Sequence, residues 1–450
     1  FGLFSGIETF LEDRLFSTES ADSRIVIVAI DDASITEIGQ WPWSREVYAK
    51  LIGQLEKAKP RVVGFDVMLS ERSRLGVEDD ATLARALERT PLQIVFPIEA
   101  QSIVPREGEA YAEGKIVPLK EFKGKNVSFG IVNIILDPDG FARRFPGKTL
   151  FSQSETQETF SHFARVITEK SGFTLPLGTY DGIERIVYQG KPGSFERISL
   201  SEILNGKNLE SLSGKIVLIG ATAPDLHDEA PTPVSHGKAM PGVEIHANIS
   251  AQILSGSHLV LLHPLATLLW IVVLVFLLAL FFMYREGVIP HVFLAFILSA
   301  VSLVTSIVLF EKGVVVNILH TVFAPLVAVS VFVAYEYIIG EEKRRELEGV
   351  FSKYVSRGVL EEILQNPGKV TLGGEERVIT VLFSDIRGFT TLSESVTPAE
   401  LVRILNIYFT AMTEEIMKED GVLDKFVGDA VMAFWGAPLH QPDHADRAIR

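Results

Sequence analysis

The stretch LATLLWIVVLVFLLALFFM, residues 265–283, decides the architecture of the chain because it contains no charged side chain. A helix rises about 1.5 Å per residue, so a stretch of this length crosses the roughly 30 Å of hydrocarbon in a bilayer. Two more apolar stretches follow, residues 288–310 without a charge and residues 314–339 with only Glu336. The alternative is a helical bundle buried in a soluble protein, but buried helices rarely stay uncharged over three such stretches. The sequence therefore predicts three membrane-spanning helices within residues 259–339.

The charges around these spans predict how the chain is oriented. The connections between spans are very short, so successive spans run antiparallel and the two flanks lie on opposite sides of the membrane. Arg285 lies in the first connection, and Lys343–Arg345 follow the third span. Because cytoplasmic loops carry the excess of Lys and Arg, we expect a cell-membrane protein with residues 340–450 in the cytoplasm and residues 1–258 outside. Export of the outer part needs a further span upstream, so we also expect a longer protein of which this chain is a fragment.

Composition excludes several classes of protein. Of the 450 residues, 47% are hydrophobic and 22% are charged, the formal net charge is −15, and the mean hydropathy is +0.26. A chain this long and apolar is not a disordered tail, and its acidic balance argues against nucleic-acid binding. Cysteine is absent, which excludes disulfides and thiolate metal sites.

The outer part contains the pattern of an α/β domain. Residues 24–32 and 62–66 are apolar strand-like runs, and residues 45–57 between them have a helical pattern. A strand–helix–strand unit of this kind predicts a parallel sheet. A third apolar run at residues 215–221 leads through an Asp- and Pro-rich loop to a helix at about residues 243–254.

Acidic residues follow the predicted strands of this domain. They are Asp31, Asp32 and Asp66, with Asp225 and Asp228 after the later strand. Ligands of open α/β sheets bind beyond the carboxyl ends of the strands, so these side chains are a candidate pocket rim. The alternative, that they cap helices or lie in solvent, stays open. No catalytic constellation is recognisable here, and the histidines have no convincing metal-ligand spacing.

The inner part begins with a helical connector at residues 341–364, whose periodic apolar residues could pair with a second copy. An apolar strand at residues 378–385 ends in a carboxylate, and a helix follows at about residues 398–418. Residues 421–427 and 430–435 are two short strands with Gly and Asp between them, which predicts a hairpin.

This layout brings Asp385, at the end of a strand, next to Asp429, in the hairpin turn. Two carboxylates held together are costly unless a metal neutralises them, and Mg²⁺ or Mn²⁺ completed by a substrate phosphate is the usual solution. The backbone amides of residues 386–390, at the start of a helix, suit a polyphosphate. By the residues alone, a capping role for Asp385 and a turn role for Asp429 stay possible.

Three stretches of the outer part resemble the extracellular CHASE sensory domain of the second type, found in front of bacterial cyclases and histidine kinases. They are IVIVAIDDASITEIGQWPWSREVYAKLIGQL, RVVGFDVMLSE and GKIVLIGATAPDLHDEAPTPVSHGKAMPGVEIHANI. The resemblance covers about residues 20–257. It implies reception of a signal whose ligand it does not identify.

Two motifs of the inner part closely resemble the class III nucleotide cyclase catalytic domain. They are VLFSDIRGFTTLSE, residues 381–394, and LDKFVGDAVMAFWG, residues 423–436, and FSKYVSRGVLEEIL resembles the transducer segment before that domain. The family implies a ferredoxin-like α+β fold that works as a homodimer. It also supplies an Asn and an Arg from a later strand and helix, which do not occur before Arg450, so we expect this chain by itself to be inactive.

The resemblance assigns the metal site residue by residue. Asp385 and Asp429 match the two catalytic aspartates that bind two Mg²⁺ or Mn²⁺ ions. Ile386 matches the position whose carbonyl also reaches a metal.

The resemblance also assigns the substrate site. Gly388, Phe389 and Thr390 lie in the turn that contacts phosphate. Lys425 matches the base-selecting position, which is Lys in adenylate cyclases and Glu in guanylate cyclases. A Lys donor suits adenine N1, whereas a carboxylate suits the guanine edge.

The sequence thus predicts a multidomain membrane protein, a receptor-type adenylate cyclase that converts ATP to cyclic AMP and pyrophosphate under an extracellular sensor. Its expected partners are ATP, a second copy of the chain, the lipid bilayer and an unknown extracellular ligand. The alternatives are a receptor or scaffold with a degenerate cyclase domain, a guanylate cyclase and, more distantly, a polymerase palm domain. The expected parts are an α/β sensor (1–258), three spans (about 265–283, 288–310 and 314–339), a transducer linker (340–374) and the first half of an α+β cyclase domain (375–450).

Overall fold

The computed structural model describes residues 4–16, 20–151, 158–176, 178, 180–285, 287–351, 376–438 and 440–450. Its contacts separate the chain into two units, Phe1–Val329 and Ser330–Arg450. Each unit is described by itself, with helices and strands numbered in chain order.

A mostly parallel sheet organises the first unit. Its strands lie in the order β13, β1, β14, β2, β3 and β7, every neighbouring pair is parallel, and β6 adds to β3 antiparallel. The prediction of a parallel sheet is therefore confirmed. Runs such as IVIVAI are continuously apolar because they form central strands that are buried on both faces. The strands are β1 (Ile25–Ile30), β2 (Val62–Asp66), β3 (Ile94–Gln101), β6 (Gly114–Ile116), β7 (Val127–Ile131), β13 (Glu196–Ser199) and β14 (Ile216–Ala221).

Helices cover both faces of this sheet. On one face, Leu51 and Leu55 of α3 and Leu83 of α4 pack against Phe65 and other strand residues. On the other face, α5 and α7 pack against the alternate strand residues. The helices of this part are α1 (Ser5–Asp13), α2 (Asp32–Ile38), α3 (Arg45–Ala58), α4 (Val77–Arg89), α5 (Phe163–Lys170), α6 (Leu200–Leu204) and α7 (Gly242–Ser255), with 3₁₀ turns at Leu209–Leu212 and Pro224–Leu226.

Short strands form smaller sheets between β3 and α7. One has the order β11, β10, β5, β4, another β12, β9, β8, and β15 pairs with β16. These strands are β4 (Val104–Arg106), β5 (Glu109–Ala112), β8 (Ile135–Leu136), β9 (Ala142–Pro146), β10 (Lys148–Phe151), β11 (Glu158–Ser161), β12 (Ile183–Arg185), β15 (Glu229–Ala230) and β16 (Met240–Pro241).

Three long apolar helices follow, α8 (Pro264–Tyr284), α9 (Val288–Glu311) and α10 (Ile318–Phe351). The stretches Pro264–Tyr284, Val288–Glu311 and Ile318–Ile339 are long and apolar enough to cross a membrane. The third begins at Ile318 and not at residue 314, because β18 (Val314–Val315) pairs with β17 (Val260–Leu261).

The second unit contains an antiparallel sheet in the order β19, β21, β20. Its core is formed by Ile416 of α12 and by Leu423, Val431, Ala433 and Trp435 of the strands. The predicted helix at residues 398–418 is confirmed, whereas most of the predicted connector, from residue 352 on, lies outside the described residues. The elements are β19 (Thr380–Ser384), α11 (Phe389–Ser395), α12 (Pro398–Lys418), β20 (Val422–Val427), β21 (Ala430–Trp435) and α13 (His444–Ile449).

Candidate active site

The sheet of the second unit brings two aspartates together. Asp385 follows the last residue of β19, and Asp429 lies in the turn between β20 and β21, where Gly428 has a φ of +64° that favours glycine. β19 and β20 both pair with β21, so their ends meet at one edge of the sheet. The backbone amide of Ile386 donates a hydrogen bond of 3.2 Å to Oδ2 of Asp429. The backbone therefore fixes one carboxylate next to the other.

The two carboxyl groups influence each other electrostatically. A hydrogen bond that the protonated Asp385 donates to Asp429, together with the charge of Asp429, raises the pKa of Asp385, although Asp385 is exposed. Within the described ranges, neither Asp385 nor Asp429 forms an ion pair with a Lys or Arg side chain, and no third His, Asp or Glu joins them to make a cluster. A pair of neighbouring carboxylates without a protein cation suits a bound cation with oxygen ligands.

The turn after β19 exposes backbone groups beside this pair. Gly388 has a φ of +75° and precedes α11, which the sequence predicted only as a helix start. The amide of Phe389 donates to the carbonyl oxygen of Ile386 at 3.2 Å, and the side chain of Thr390 is exposed. A carbonyl oxygen has two lone pairs, so Ile386 keeps one for a further partner.

Lys425 lies apart from the two aspartates. It is on β20 opposite Met432, and Met432 is opposite Phe383 of β19. Val431 and Ala433 are buried toward α12, so alternation along β21 places Met432 and its neighbours on the other sheet face. The Nζ atom of Lys425 is 3.4 Å from Asp424, and 60% of the Lys425 side chain is exposed.

The sequence interpretation missed Tyr408, whose side chain contacts the end of β19 next to Asp385. The hydroxyl groups of Ser384, the last residue of β19, and Tyr408, on α12, are 2.8 Å apart. The ring of Phe409 also stacks on Phe426 with centroids 4.2 Å apart. The helical period could identify the buried side of α12, but the pairing of Tyr408 with Ser384 depends on how the helix packs on the sheet.

Comparisons with known proteins agree with this arrangement. Residues 1–281 match the CHASE2 domain, and residues 374–450 match the adenylate and guanylate cyclase catalytic domain. Three apolar helices lie at residues 264–339. The CHASE2 match ends at residue 281, within the first of these helices. The CHASE domain of the second type and the class III cyclase domain, which the motifs indicated, are thus both confirmed.

Individual relatives cover only part of the chain. An uncharacterized protein of Mycobacterium tuberculosis is 36% identical over 112 residues, which are 25% of this chain and 20% of that protein. Adenylate cyclase 1 of Rhizobium meliloti is 31% identical over 130 residues, 28% of this chain and 20% of that protein. A crystal structure of the guanylyl cyclase Cya2 is 47% identical, covers 17% of this chain and 40% of its own, and has a TM-score of 0.17. The chain spans about a fifth of the length of the curated relatives it matches.

Proposed function

The chain belongs to the CHASE2 domain family, and from that premise we propose that it is part of a receptor-type membrane adenylate cyclase. The reaction converts ATP to cyclic AMP and pyrophosphate, and an extracellular ligand of the sensor controls it. The sensor lies outside the cell membrane, and the cyclase domain lies in the cytoplasm.

The observation that carries the proposal is the pair Asp385 and Asp429, which lies in the part that matches a cyclase catalytic domain. Their carboxylates, with the carbonyl oxygen of Ile386, would hold two Mg²⁺ or Mn²⁺ ions. When bound, such ions acidify an attacking hydroxyl group and neutralise charge on a phosphoryl group. The turn of residues 388–390 would contact the triphosphate beside this pair, so that the 3′-hydroxyl of ATP faces its α-phosphorus.

Lys425 supports adenine as the base. Its ammonium group is exposed and donates hydrogen bonds only, which matches adenine N1 and not the N1–H of guanine. It lies on the sheet face opposite α12, where Val381 and Phe383 are also exposed. We expect a homodimer in which this face meets a second copy, so that the aspartates of one copy and Lys425 of the other surround one nucleotide.

The test uses the whole protein in membranes with ATP and Mn²⁺, and both cyclic AMP and cyclic GMP are measured. Removing one charge of the pair, by Asp385→Asn or Asp429→Asn, should lower turnover about 100-fold or more because charge on the phosphoryl group is no longer neutralised. Asp446→Asn changes an exposed carboxylate on α13 and serves as the matched control.

Three results would contradict the proposal. A folded Asp385→Asn or Asp429→Asn variant with normal turnover would refute the site. Cyclic GMP as the main product would indicate a guanylate cyclase. No product from the whole wild-type protein would indicate a receptor with a degenerate cyclase domain.

A further inference from the structure

The first unit contains a second pair of acidic residues, at the carboxyl ends of its central strands. Asp66 is the last residue of β2, and Asp228 follows β14, which pairs with β2 so that Gly220 lies opposite Asp66. Both aspartates line one cavity of about 280 Å³, together with Trp41, Tyr48 and Leu226. This edge of a parallel sheet is the usual place for a ligand in open α/β folds.

Among the described residues, one carboxylate oxygen of Asp66 is buried without a hydrogen-bond partner. Its side chain is 11% exposed, its Oδ2 atom is buried without a hydrogen bond, and the nearest basic atom is Nε2 of His246 at 4.0 Å. His246 on α7 is itself only 3% exposed, and its Nδ1 atom is also buried without a partner. Buried polar groups are nearly always hydrogen-bonded, so Oδ2 of Asp66 and Nδ1 of His246 mark a place where a ligand or a water molecule can supply the absent partner.

Asp31 follows β1, which lies on the other side of β14 from β2, and it is a carboxylate with a structural role. It accepts hydrogen bonds from the amide of Ser34 at 2.9 Å, from the hydroxyl of Ser34 at 2.7 Å and from the hydroxyl of Ser199 at 2.8 Å. Asp31 is therefore a helix cap, whereas Asp66 caps nothing. Of the five acidic residues that the sequence placed on a pocket rim, only Asp66 and Asp228 line this cavity.

Two glycines make room for the acidic pair. A Cβ atom at Gly220 would lie 3.2 Å from Cβ of Asp66 and 2.6 Å from Cβ of Val243. A Cβ atom at Gly242 would lie 2.7 Å from Oδ1 of Asp228. The backbone is thus shaped to admit both carboxylates.

The charge on these carboxylates is not balanced from within. Arg45 is the cation on the cavity wall, but its Nε atom is 3.3 Å from Asp80 and its Nη2 atom donates to the carbonyl oxygen of Glu71 at 2.7 Å. Over the part of the chain that the structure describes, no Lys or Arg forms an ion pair with Asp66 or Asp228. Burial raises the pKa of Asp66 to about 7, and partial desolvation with the charge of Asp66 raises the pKa of Asp228 to about 6.

The surroundings favour an organic cation over a metal ion. In the described residues, no group of three His, Cys, Asp or Glu side chains could hold a metal. Trp41 offers an aromatic surface to a cation, and the cavity shares Trp41, Pro42, Arg45 and Met68 with a neighbouring cleft of about 570 Å³. The combined space fits a small molecule with a chain attached to its charged group.

We propose that this cavity is the ligand site of the sensor and that it binds a small organic amine, with the ammonium group held between Asp66 and Asp228 and beside Trp41. The proposal rests on the proposed function in one respect only, which is that amine binding controls the cyclase. Binding is measured directly, so a failure of the proposed enzymatic activity would not affect the test.

The test is calorimetric titration of the whole chain in lipid nanodiscs at pH 8 with n-butylamine, putrescine and L-lysine, and with 1,4-butanediol as the neutral control. At least one amine should bind saturably, and the diol should not. Asp66→Asn and Asp228→Asn should each weaken amine binding about tenfold or more, because each removes a charge-assisted hydrogen bond. Asp228 is exposed at the cavity edge, so its variant is informative even if Asp66→Asn does not fold.

Asp32→Asn and Asp225→Asn are the matched controls, because both residues are exposed acids near the same strand ends and outside the cavity lining. Their amine affinity should stay within about twofold of wild type. The proposal is overturned if no amine binds at concentrations up to about 10 mM, because a weaker dissociation constant would not indicate a specific site. It is also overturned if the folded Asp228→Asn variant binds amine as wild type does, or if a parallel titration shows that Mg²⁺ binds and no amine does.

Discussion

At the scale of single residues, Asp385 and Asp66 have raised pKa values for different reasons. Asp385 is exposed, and its pKa is raised by the hydrogen bond and charge of Asp429. Asp66 is buried, and its pKa is raised to about 7 by the loss of water alone. Ionising the first pair lowers the stability of the fold only a little, because solvent surrounds it. Ionising the second pair lowers the stability more, and a bound cation would offset this loss.

This cost predicts a pH dependence of stability. The pKa of Asp66 is higher in the folded chain than the ordinary value of 3.8, so its destabilising effect grows as pH rises from about 4 and is complete above about 7. Asp66→Asn removes this ionisation. The gain in unfolding free energy of the variant over wild type should therefore be larger at pH 8 than at pH 5, by on the order of 2–4 kcal/mol. The measurement is the difference in thermal midpoint between variant and wild type at both pH values, without amine.

His246 is a second buried titratable group beside Asp66, and it also makes the stability of the fold depend on pH. Burial lowers its pKa to about 4, so its effect has the opposite sign and destabilises the fold as pH falls from about 6.5 to 4. Because His246 is present in both proteins, its contribution largely cancels in the difference. A difference in thermal midpoint that is the same at pH 5 and pH 8 would contradict the unpartnered state of Asp66.

Lys425 is the second residue whose role can be tested alone. Lys425→Glu replaces the proposed donor to adenine N1 with an acceptor, so ATP turnover of the whole protein should fall about tenfold or more. Lys418→Glu is the matched charge reversal, since Lys418 is an exposed residue of α12 paired with Glu415. If both variants convert ATP as wild type does, Lys425 is a surface residue and does not read the base.

At the scale of elements, the sequence predicted those parts whose signal is local. β2, α12 and β21 begin and end where the sequence placed them, because each is an apolar or amphipathic run bounded by turn residues or by a proline. The small sheets between β3 and α7 were not predicted. Their strands are short and their pairing is non-local, as in the parallel pair of β10 with β5.

The same distinction separates the two acidic sites. Asp385, at the end of a strand, and Asp429, in a hairpin turn, could each be placed from the sequence, because both signals are local. The approach of His246 to Asp66 could not, because it depends on how α7 packs on the sheet. The acidic rim was visible in the sequence, but only the structure shows that Asp31 is a cap and Asp66 is not.

One element connects the sensor to the start of the third apolar helix. The carboxylate of Glu8 on α1 accepts hydrogen bonds from the amides of Ile318, at 2.5 Å, and Leu319, at 2.9 Å. These amides begin α10 and have no partner within that helix. Glu12 and Asp13 on the same α1 bond to Arg185 and Arg143 of the sensor. α1 thus ties the sensor to the helix that continues to Phe351.

At the scale of the whole molecule, the proposed function requires the sensor and the cyclase domain to lie on opposite sides of the membrane. If all three apolar helices span the membrane, their odd number would place the two flanks on opposite faces. Arg285 and Lys343–Arg345 then favour a cytoplasmic cyclase domain by the excess of positive charge at the inner face. An amine ligand would reach Asp66 from outside, whereas ATP would reach Asp385 from inside.

This orientation can be tested directly because the 450 residues contain no cysteine. Leu75 in the sensor is 72% exposed, and Ile449 in the cyclase domain is 85% exposed, so Leu75→Cys and Ile449→Cys each introduce one accessible thiol. A membrane-impermeant maleimide should label Leu75→Cys in intact spheroplasts and Ile449→Cys only after lysis. Detergent should make both reactive, and the cysteine-free chain should stay unlabelled. The reverse pattern would place the acidic cavity of the sensor in the cytoplasm and contradict its role as an extracellular receptor.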